Sequence, residues 1–156
     1  MSTRDMASGK KVVSHLAAAV YTATQTPSNG VDTQGFDAAT FVIDVGTITN
    51  VANSPQPSWT FKAQESDSQS ASFTDITDSN RVLVNGIKSP GGAPDSSSGV
   101  FLTVDAAAED ANVYHVGVIS NKRYLRVVAT AANTPGNTPL AIDCILENAA
   151  LTPVSN

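Results

Sequence analysis

Apolar and polar residues alternate along much of the chain, and this alternation predicts short β-strands. In residues 59–65, Trp59, Phe61 and Ala63 alternate with polar side chains, as in a strand that buries one face. We expect Trp59, the only tryptophan, to be packed between two sheets. The same reasoning predicts further strands at residues 12–21, 38–45, 73–76, 81–84, 100–104, 112–119, 124–131 and 140–146.

The segments between these strands are rich in Gly, Pro, Asn and Ser, which favour turns. Asn29 and Gly30 are expected to supply the positive φ of a tight turn. Residues 120–123 are expected to form a hairpin between the two strands that flank them, and residues 106–111 to form one helical turn. The longest connection, residues 89–99, is expected to be exposed and mobile.

The spacing of the strands predicts an all-β fold. Eight or nine short strands about ten residues apart are typical of an antiparallel β-sandwich or jelly roll, and no helical segment long enough for a parallel α/β fold occurs. In residues 12–21 the alanine run favours helix, but the valines and the Thr-rich continuation favour strand. Residues 1–11 have no periodicity and are expected to form an extended N-terminal arm, followed by a single β domain at residues 12–156.

Composition and charge narrow the classes of partner. The formal net charge is −5, and charged residues make up only 15% of the chain, so neutral polar residues dominate its loops. The cations are scattered apart from Lys10–Lys11 and the group Lys122, Arg123 and Arg126, which predicts no nucleic-acid binding. No apolar run is long enough to span a membrane, and no signal peptide is recognised, so we expect synthesis in a reducing cytoplasm.

Residue types that carry catalysis or bind metals are few. Cys144, the only cysteine, is in phase with Leu140, Ile142 and Leu146 and is expected to be a buried apolar residue. The two histidines are expected to be strand residues on mixed faces, with His115 opposite its apolar neighbours. One cysteine and two histidines cannot complete a Cys/His zinc site.

Carboxylates could converge in one hairpin, because Glu65, Asp67, Asp75 and Asp78 are close in sequence. Their spacing is not that of a calcium loop, and a solvated acidic hairpin is the preferred interpretation. The sequence contains no nucleophile elbow or phosphate-binding loop. It therefore predicts no catalytic, cofactor-binding or metal-binding residue, no cofactor, and a protein that is not an enzyme.

Several blocks of the sequence resemble small virion proteins of tailed bacteriophages. These blocks are residues 1–6, 34–46 (QGFDAATFVIDVG), 61–67 with 73–76, and 113–128 (VYHVGVISNKRYLRVV). The proteins of this kind that have an assigned role look like jelly-roll-type capsid decoration, or cement, proteins. The resemblance extends in order to about residue 146, with residues 89–99 as an apparent insertion. It transfers no functional residue, because such proteins act by surface contact.

The resemblance implies a structural virion protein that binds the outside of a bacteriophage capsid and stabilises contacts between major capsid protein subunits. It also implies a homo-oligomer, a dimer or trimer, on the outer capsid surface, after synthesis in the host cytoplasm. Two alternatives stay open from the sequence. One is a head–tail connector or tail structural protein, and the other is a carbohydrate-binding β-sandwich module, which usually needs aromatic platforms.

Overall fold

The computed structural model describes residues 8–84 and 94–150, and these residues form two antiparallel sheets. Sheet A has the strand order β1-β10-β3-β8-β6, and sheet B has the order β2-β9-β4, with β5 and β7 both paired to the far side of β4. The predicted all-β sandwich is therefore confirmed. The strands are β1 (Lys11–Tyr21), β2 (Val31–Asp32), β3 (Phe36–Val45), β4 (Ser58–Ser66), β5 (Thr74–Asp75), β6 (Val82–Leu83), β7 (Val100–Val104), β8 (Asn112–Val118), β9 (Tyr124–Ala132) and β10 (Thr138–Ala149).

The connectivity is that of a jelly roll. Four antiparallel pairs are nested in the sequence, β1 with β10, β2 with β9, β3 with β8, and β4 with β7, and successive pairs alternate between the two sheets. This is the pattern of a long hairpin wrapped around a sandwich. Its consequence is that β10 lies in the middle of sheet A between β1 and β3, although it follows all the other strands in sequence.

The core lies between the sheets and follows the predicted alternation. Trp59 and Phe61 of β4 are completely buried, as are Phe41 and Ile43 of β3 in the opposite sheet. The indole Nε1 of Trp59 donates a hydrogen bond of 3.1 Å to Oγ1 of Thr138, at the start of β10. The predicted position of Trp59 between two sheets is thus confirmed, and its only polar atom is satisfied across the core.

The expected hairpin at residues 120–123 is wrong. Its two flanking strands, β8 and β9, are in different sheets, because β8 pairs with β3 and β9 pairs with β4. Residues 120–123 therefore cross from one sheet to the other at the end of the sandwich. Alternation shows which face of a strand is buried, but it does not show which strand is its neighbour.

The positive φ expected at Asn29 and Gly30 is also wrong, since neither residue has one, although the chain bends at residues 28–29. Gly30 is needed for space instead. A Cβ at this position would lie 2.8 Å from the ring of Phe73 and 2.9 Å from Cβ of Tyr124. A glycine can thus indicate a close approach of side chains rather than an unusual backbone conformation.

Three smaller expectations concern residues 106–111, the end of the N-terminal arm and the loop of residues 89–99. Residues 106–111 form a hydrogen-bonded turn, in which the amides of Glu109 and Asp110 both donate to the carbonyl of Ala106, but no helix. The N-terminal arm was expected to end at Lys11, which instead begins β1 opposite Leu146. Residues 1–7 of that arm, and residues 89–93 of the expected mobile loop, lie outside the described residues.

Candidate interaction surface

The outer face of sheet A is the candidate site, and it is built from the strand positions that point away from the core. In register, Val12 lies beside Ile145, Ile145 beside Thr40, Thr40 beside Gly117, and Gly117 beside Leu83. These five residues form one row across all five strands. The row contains no charged side chain, and the fixed pleat of a sheet holds it in place.

Exposed apolar side chains are concentrated on this face. In residues 8–84 and 94–150, every large hydrophobic residue that is exposed belongs to sheet A or directly follows one of its strands. Among the same residues, sheet B has no exposed large hydrophobic side chain on its outer face. The exposed residues are Leu83 (42% exposed), Ile119 (53%), Val20 (58%), Val12 (60%) and Val113 (63%).

Two shallow grooves cross the outer face of sheet A. The first, here called the Gly117 groove, has a volume of about 280 Å³ and lies between Leu83, Ile119 and Ala38. Gly117 forms part of its wall, and a Cβ there would lie 3.6 Å from Cβ of Leu83, an ordinary contact. The missing side chain at position 117 thus leaves part of this space open, and a Cβ there would fit without displacing a neighbour.

The second, here called the Pro139 groove, lies at the other end of β3 and has a volume of about 310 Å³. Its lining is almost entirely apolar, from Ala18, Val20, Pro139 and Ala141. Both grooves are at or below the lower end of the volumes that enclose a drug-sized molecule. They are better matched to single side chains of a protein partner.

Each groove has an aspartate at its edge. Asp44 lines the Pro139 groove, and Asp143 lies on the same outer face between β3 and β1. Asp37 lines the Gly117 groove from the end of β3, at a position in phase with the core residues of that strand. In the part of the chain that the structure describes, no hydrogen bond or ion pair engages any of these three carboxylates. The outer face of sheet A thus combines exposed apolar side chains with carboxylates that can bind a cation of a partner.

The outer face of sheet B contrasts with this arrangement, because its polar groups bind one another. The Nε of Arg126 donates to Gln64, whose amide donates to Asp75, and Lys62 donates to the same carboxylate at 2.8 Å. The guanidinium of Arg126 also stacks on Phe73 at 3.9 Å. Few of these groups are left to recognise a partner.

The four hairpin carboxylates singled out in the sequence do not converge. Asp75 points outward into the sheet B network, whereas Glu65 forms an ion pair with Arg81 and accepts a hydrogen bond from Ser120. Burial raises the pKa of the Glu65 carboxyl, but the hydrogen bonds from Arg81 and Ser120 outweigh it and hold the pKa below its ordinary value. Because Arg81 and Ser120 flank β6 and β8, this cluster joins the two sheets at one end.

The other two carboxylates of that set have separate local partners. Asp67 forms an exposed ion pair with Lys122, and Asp78 accepts a hydrogen bond of 2.8 Å from the backbone nitrogen of Asn80. Among residues 8–84 and 94–150 no three His, Cys, Asp or Glu side chains are grouped as a metal site would need.

The histidines have different environments. His115 is exposed on the outer face of sheet A and lines the Gly117 groove, opposite its apolar neighbours as expected. His15 was expected on a mixed face but is turned inward at a β-bulge, where its Nε2 contacts the backbone nitrogen of Val127 at 3.0 Å. Burial lowers the pKa of the His15 imidazole from 6.5 to about 4; the Val127 carbonyl acts in the opposite direction and Arg126 lowers the pKa further.

His15 also lines a cleft of about 470 Å³ between β1 and the loop of residues 27–31. Tyr21 lines the same cleft, and its hydroxyl donates to the carbonyl of Ala17 at 2.8 Å. None of the described residues that line this cleft carries a carboxylate or a cation. Ser14 and Ser28 bring hydroxyl groups to the same cleft, but the Nε2 of the neutral His15 is already engaged with the backbone of Val127.

Cys144 is completely buried, as expected, and burial raises the pKa of its thiol to about 12. At neutral pH the thiol is therefore protonated and is not a nucleophile. The predicted basic cluster is also engaged within the chain. Arg123 forms a two-bond ion pair with Asp32, and Arg126 and Lys122 have the partners described above.

Comparison with protein-family models, with curated proteins and with solved structures found no match. A search for helices long and apolar enough to cross a membrane found none among the described residues.

The exposed apolar positions of sheet A were not singled out in the sequence, although a signal for them exists. In β8 the buried Tyr114, Val116 and Val118 alternate with Val113 and Ile119, so apolar residues occupy both phases of one strand segment. A strand with one face in water is expected to be polar on that face. Apolar residues at the outward-facing positions of this segment thus indicated a contact surface.

Proposed function

We propose that this protein is a structural, non-enzymatic protein that acts by surface contact, and specifically a bacteriophage capsid decoration protein. In this proposal the outer face of sheet A contacts major capsid protein subunits and stabilises the contacts between them. The protein acts as a small homo-oligomer on the outer surface of the virion. The observation that carries the proposal is that, among residues 8–84 and 94–150, the exposed large apolar side chains are restricted to sheet A and the residue that follows β8.

Physical reasons support contact through this face. Water-exposed valine, leucine and isoleucine side chains gain roughly 25 cal/mol per Å² of apolar area when a partner covers them. A contiguous apolar patch with polar surroundings is a common feature of protein interaction sites. The sequence resemblance to virion proteins adds the identity of the partner, which the geometry alone does not specify.

The carbohydrate-binding alternative has less support. Such modules usually present an aromatic ring to the sugar, but none of the nine aromatic side chains is exposed in this structure. Phe73, for example, is covered by Arg126.

The proposal is tested by cosedimentation of the purified protein with tailed-phage heads assembled without it. The double variant Val113→Ser/Ile119→Ser removes two exposed apolar side chains, and we expect it to bind at least about tenfold more weakly. Thr60→Ala, on the outer face of sheet B, is the matched control and should bind normally. Cryo-electron microscopy of the mixture locates bound protein on the shell, the neck or the tail. Equal binding by the double variant and the wild type would contradict the proposed face.

A further inference from the structure

The two grooves on the outer face of sheet A have features that specify the chemistry of a partner. We propose that the Gly117 groove and the Pro139 groove each accept an aliphatic side chain that a protein partner presents beside a lysine or arginine. This inference rests on the proposed function, because it identifies what the outer face of sheet A recognises. It goes further by naming the anchor sites and the charge of the partner.

The apolar part of the proposal follows from the size and lining of the grooves. Leu83 and Ile119 are 42% and 53% exposed at the Gly117 groove, and Val20 is 58% exposed at the Pro139 groove. At about 280 and 310 Å³, each groove has room for a side chain and its neighbouring backbone rather than for a large ligand. Side chains inserted into such pockets contribute most of the binding energy in many protein interfaces.

The cationic part follows from the carboxylates. Asp37 at one groove and Asp44 at the other have no ion-pair or hydrogen-bond partner among residues 8–84 and 94–150. Six cationic side chains, in contrast, already have a partner within the chain. Five form ion pairs with carboxylates and the sixth donates a hydrogen bond to Gln64; they are Lys10, Lys62, Arg81, Lys122, Arg123 and Arg126. A partner cation would therefore find an acceptor at each groove without displacing an existing bond.

The same charges argue against other occupants of the face. In a two-fold contact between two copies of this chain through this face, Asp44 and Asp143 of one copy would approach the same carboxylates of the other. Nucleic acids and anionic lipid surfaces would also be repelled. A protein surface with apolar side chains flanked by lysine or arginine satisfies both parts of the site.

The distance between the grooves suits attachment at two points. Asp37 and Asp44 line the two grooves from positions seven residues apart on β3, roughly 23 Å in a strand, so the grooves lie near opposite ends of that strand. One face can thus hold two anchors at once. Two weak contacts joined by a rigid sheet bind far more tightly than either contact alone.

The grooves are tested by nuclear magnetic resonance of the full-length protein labelled with ¹⁵N. The probe is the peptide acetyl-Gly-Lys-Leu-Lys-Gly-amide, and the matched controls replace Leu by Ser or both Lys by Glu. We expect saturable shifts of the amides around Gly117 and around Pro139 with the Lys-Leu-Lys peptide only. Controls should bind about tenfold more weakly or not at all. An absence of saturable shifts, or equal binding of the Lys→Glu peptide, would overturn the proposal.

Gly117→Val provides an internal control, because it fills one groove and leaves the other open. We expect it to lose the shifts around residue 117 and to keep those around Pro139. Leu83→Ser, which removes one wall of the same groove, is the second variant if Gly117→Val does not fold. Retention of all shifts in both variants would show that the peptide binds elsewhere.

Binding to phage heads separates this inference from the proposed function. If the wild type binds heads and Gly117→Val/Asp44→Asn binds them equally well, the grooves are not anchor sites although the function stands. If the peptide binds both grooves but the wild type does not attach to heads, the proposed function falls and the chemistry of the grooves stands.

Discussion

The imidazole Nε2 of His15 lies 3.0 Å from the backbone nitrogen of Val127 and so joins the edge strand of sheet A to sheet B. On that side of β9, Val31 pairs with Leu125 and Gln25 bridges to Ala129, which leaves Val127 between them without a strand partner. The N–H of Val127 can donate to the unprotonated ring nitrogen. The His15 side chain thus replaces a missing segment of strand.

This contact predicts a loss of stability in mild acid. In the unfolded chain the His15 imidazole has a pKa near 6.5, whereas in the folded protein burial lowers the pKa to about 4. Between these values the unfolded state binds the proton more strongly, so stability is complete above about pH 6.5 and falls as the pH decreases towards 4. The free energy of unfolding should decrease by roughly 2–3 kcal/mol from this group alone, as measured by urea denaturation across the range.

Two variants isolate the contribution of His15. His15→Phe keeps a ring near Phe41, against which the imidazole packs edge-on, but it removes the acceptor for Val127. It should be less stable at pH 7 by about 1–3 kcal/mol and should lose less stability in acid than the wild type. His115→Ala, at an exposed position, should keep the pH dependence of the wild type. A wild-type slope in His15→Phe would show that other groups cause the acid sensitivity.

The strands could be predicted from the sequence because burial follows a period of two. The phase of β4, with Trp59, Phe61 and Ala63 inward, and the burial of Cys144 in β10 both follow from the alternation alone. The two-sheet architecture follows from the number and spacing of such segments. These features depend on local sequence, so the sequence alone is enough to predict them.

Features that depend on contacts between distant segments could not be predicted in the same way. The inward position of His15 results from a β-bulge between Ser14 and Leu16, and its partner Val127 is 112 residues away. The crossing at residues 120–123 depends on which strands are already paired in each sheet. The Asn29–Gly30 dipeptide predicted a positive φ because Asn and Gly adopt that conformation readily. In the structure, position 30 needs a glycine because the ring of Phe73 leaves no room for a Cβ.

Trp59 should be a major contributor to stability. Trp59→Ala removes a completely buried indole and leaves the hydroxyl of Thr138 without its donor, so we expect a loss of about 3–5 kcal/mol in the free energy of unfolding. Thr138→Val, which removes only the acceptor, should cost roughly 1–3 kcal/mol. Equilibrium denaturation in urea measures both values. A loss below about 1 kcal/mol for Trp59→Ala would mean that the indole does not fill the core.

Gly30→Ala should destabilise the protein although the backbone at residue 30 is ordinary. The added Cβ would lie 2.8 Å from Cζ of Phe73, whose ring is held under Arg126, and 2.9 Å from Cβ of Tyr124. The expected loss is about 1–3 kcal/mol in the free energy of unfolding. Gly9→Ala, where no atom lies within 4 Å of the added Cβ, is the matched control and should change stability by less than about 0.5 kcal/mol. Equal effects of the two substitutions would contradict the close packing at Gly30.

Deletion of residues 2–10 should leave the domain folded and weaken its attachment to phage heads. The deletion stops before Lys11, where β1 begins, so every strand pair of sheet A is kept. Among the described residues that it removes, Lys10 forms an ion pair with Glu147 at the surface, and such pairs contribute only about 0–1 kcal/mol.

Attachment should suffer because the arm sequence, with Arg4 and Asp5 but no apolar periodicity, is of a kind that gains order against a neighbouring chain. The melting temperature should therefore fall by no more than about 4 °C, while occupancy on heads assembled without the protein decreases. Lys10→Ala controls for the lost ion pair and should retain full occupancy. Unchanged occupancy of the truncated protein would rule out a role of the arm in attachment, and loss of folding would show that the arm belongs to the core.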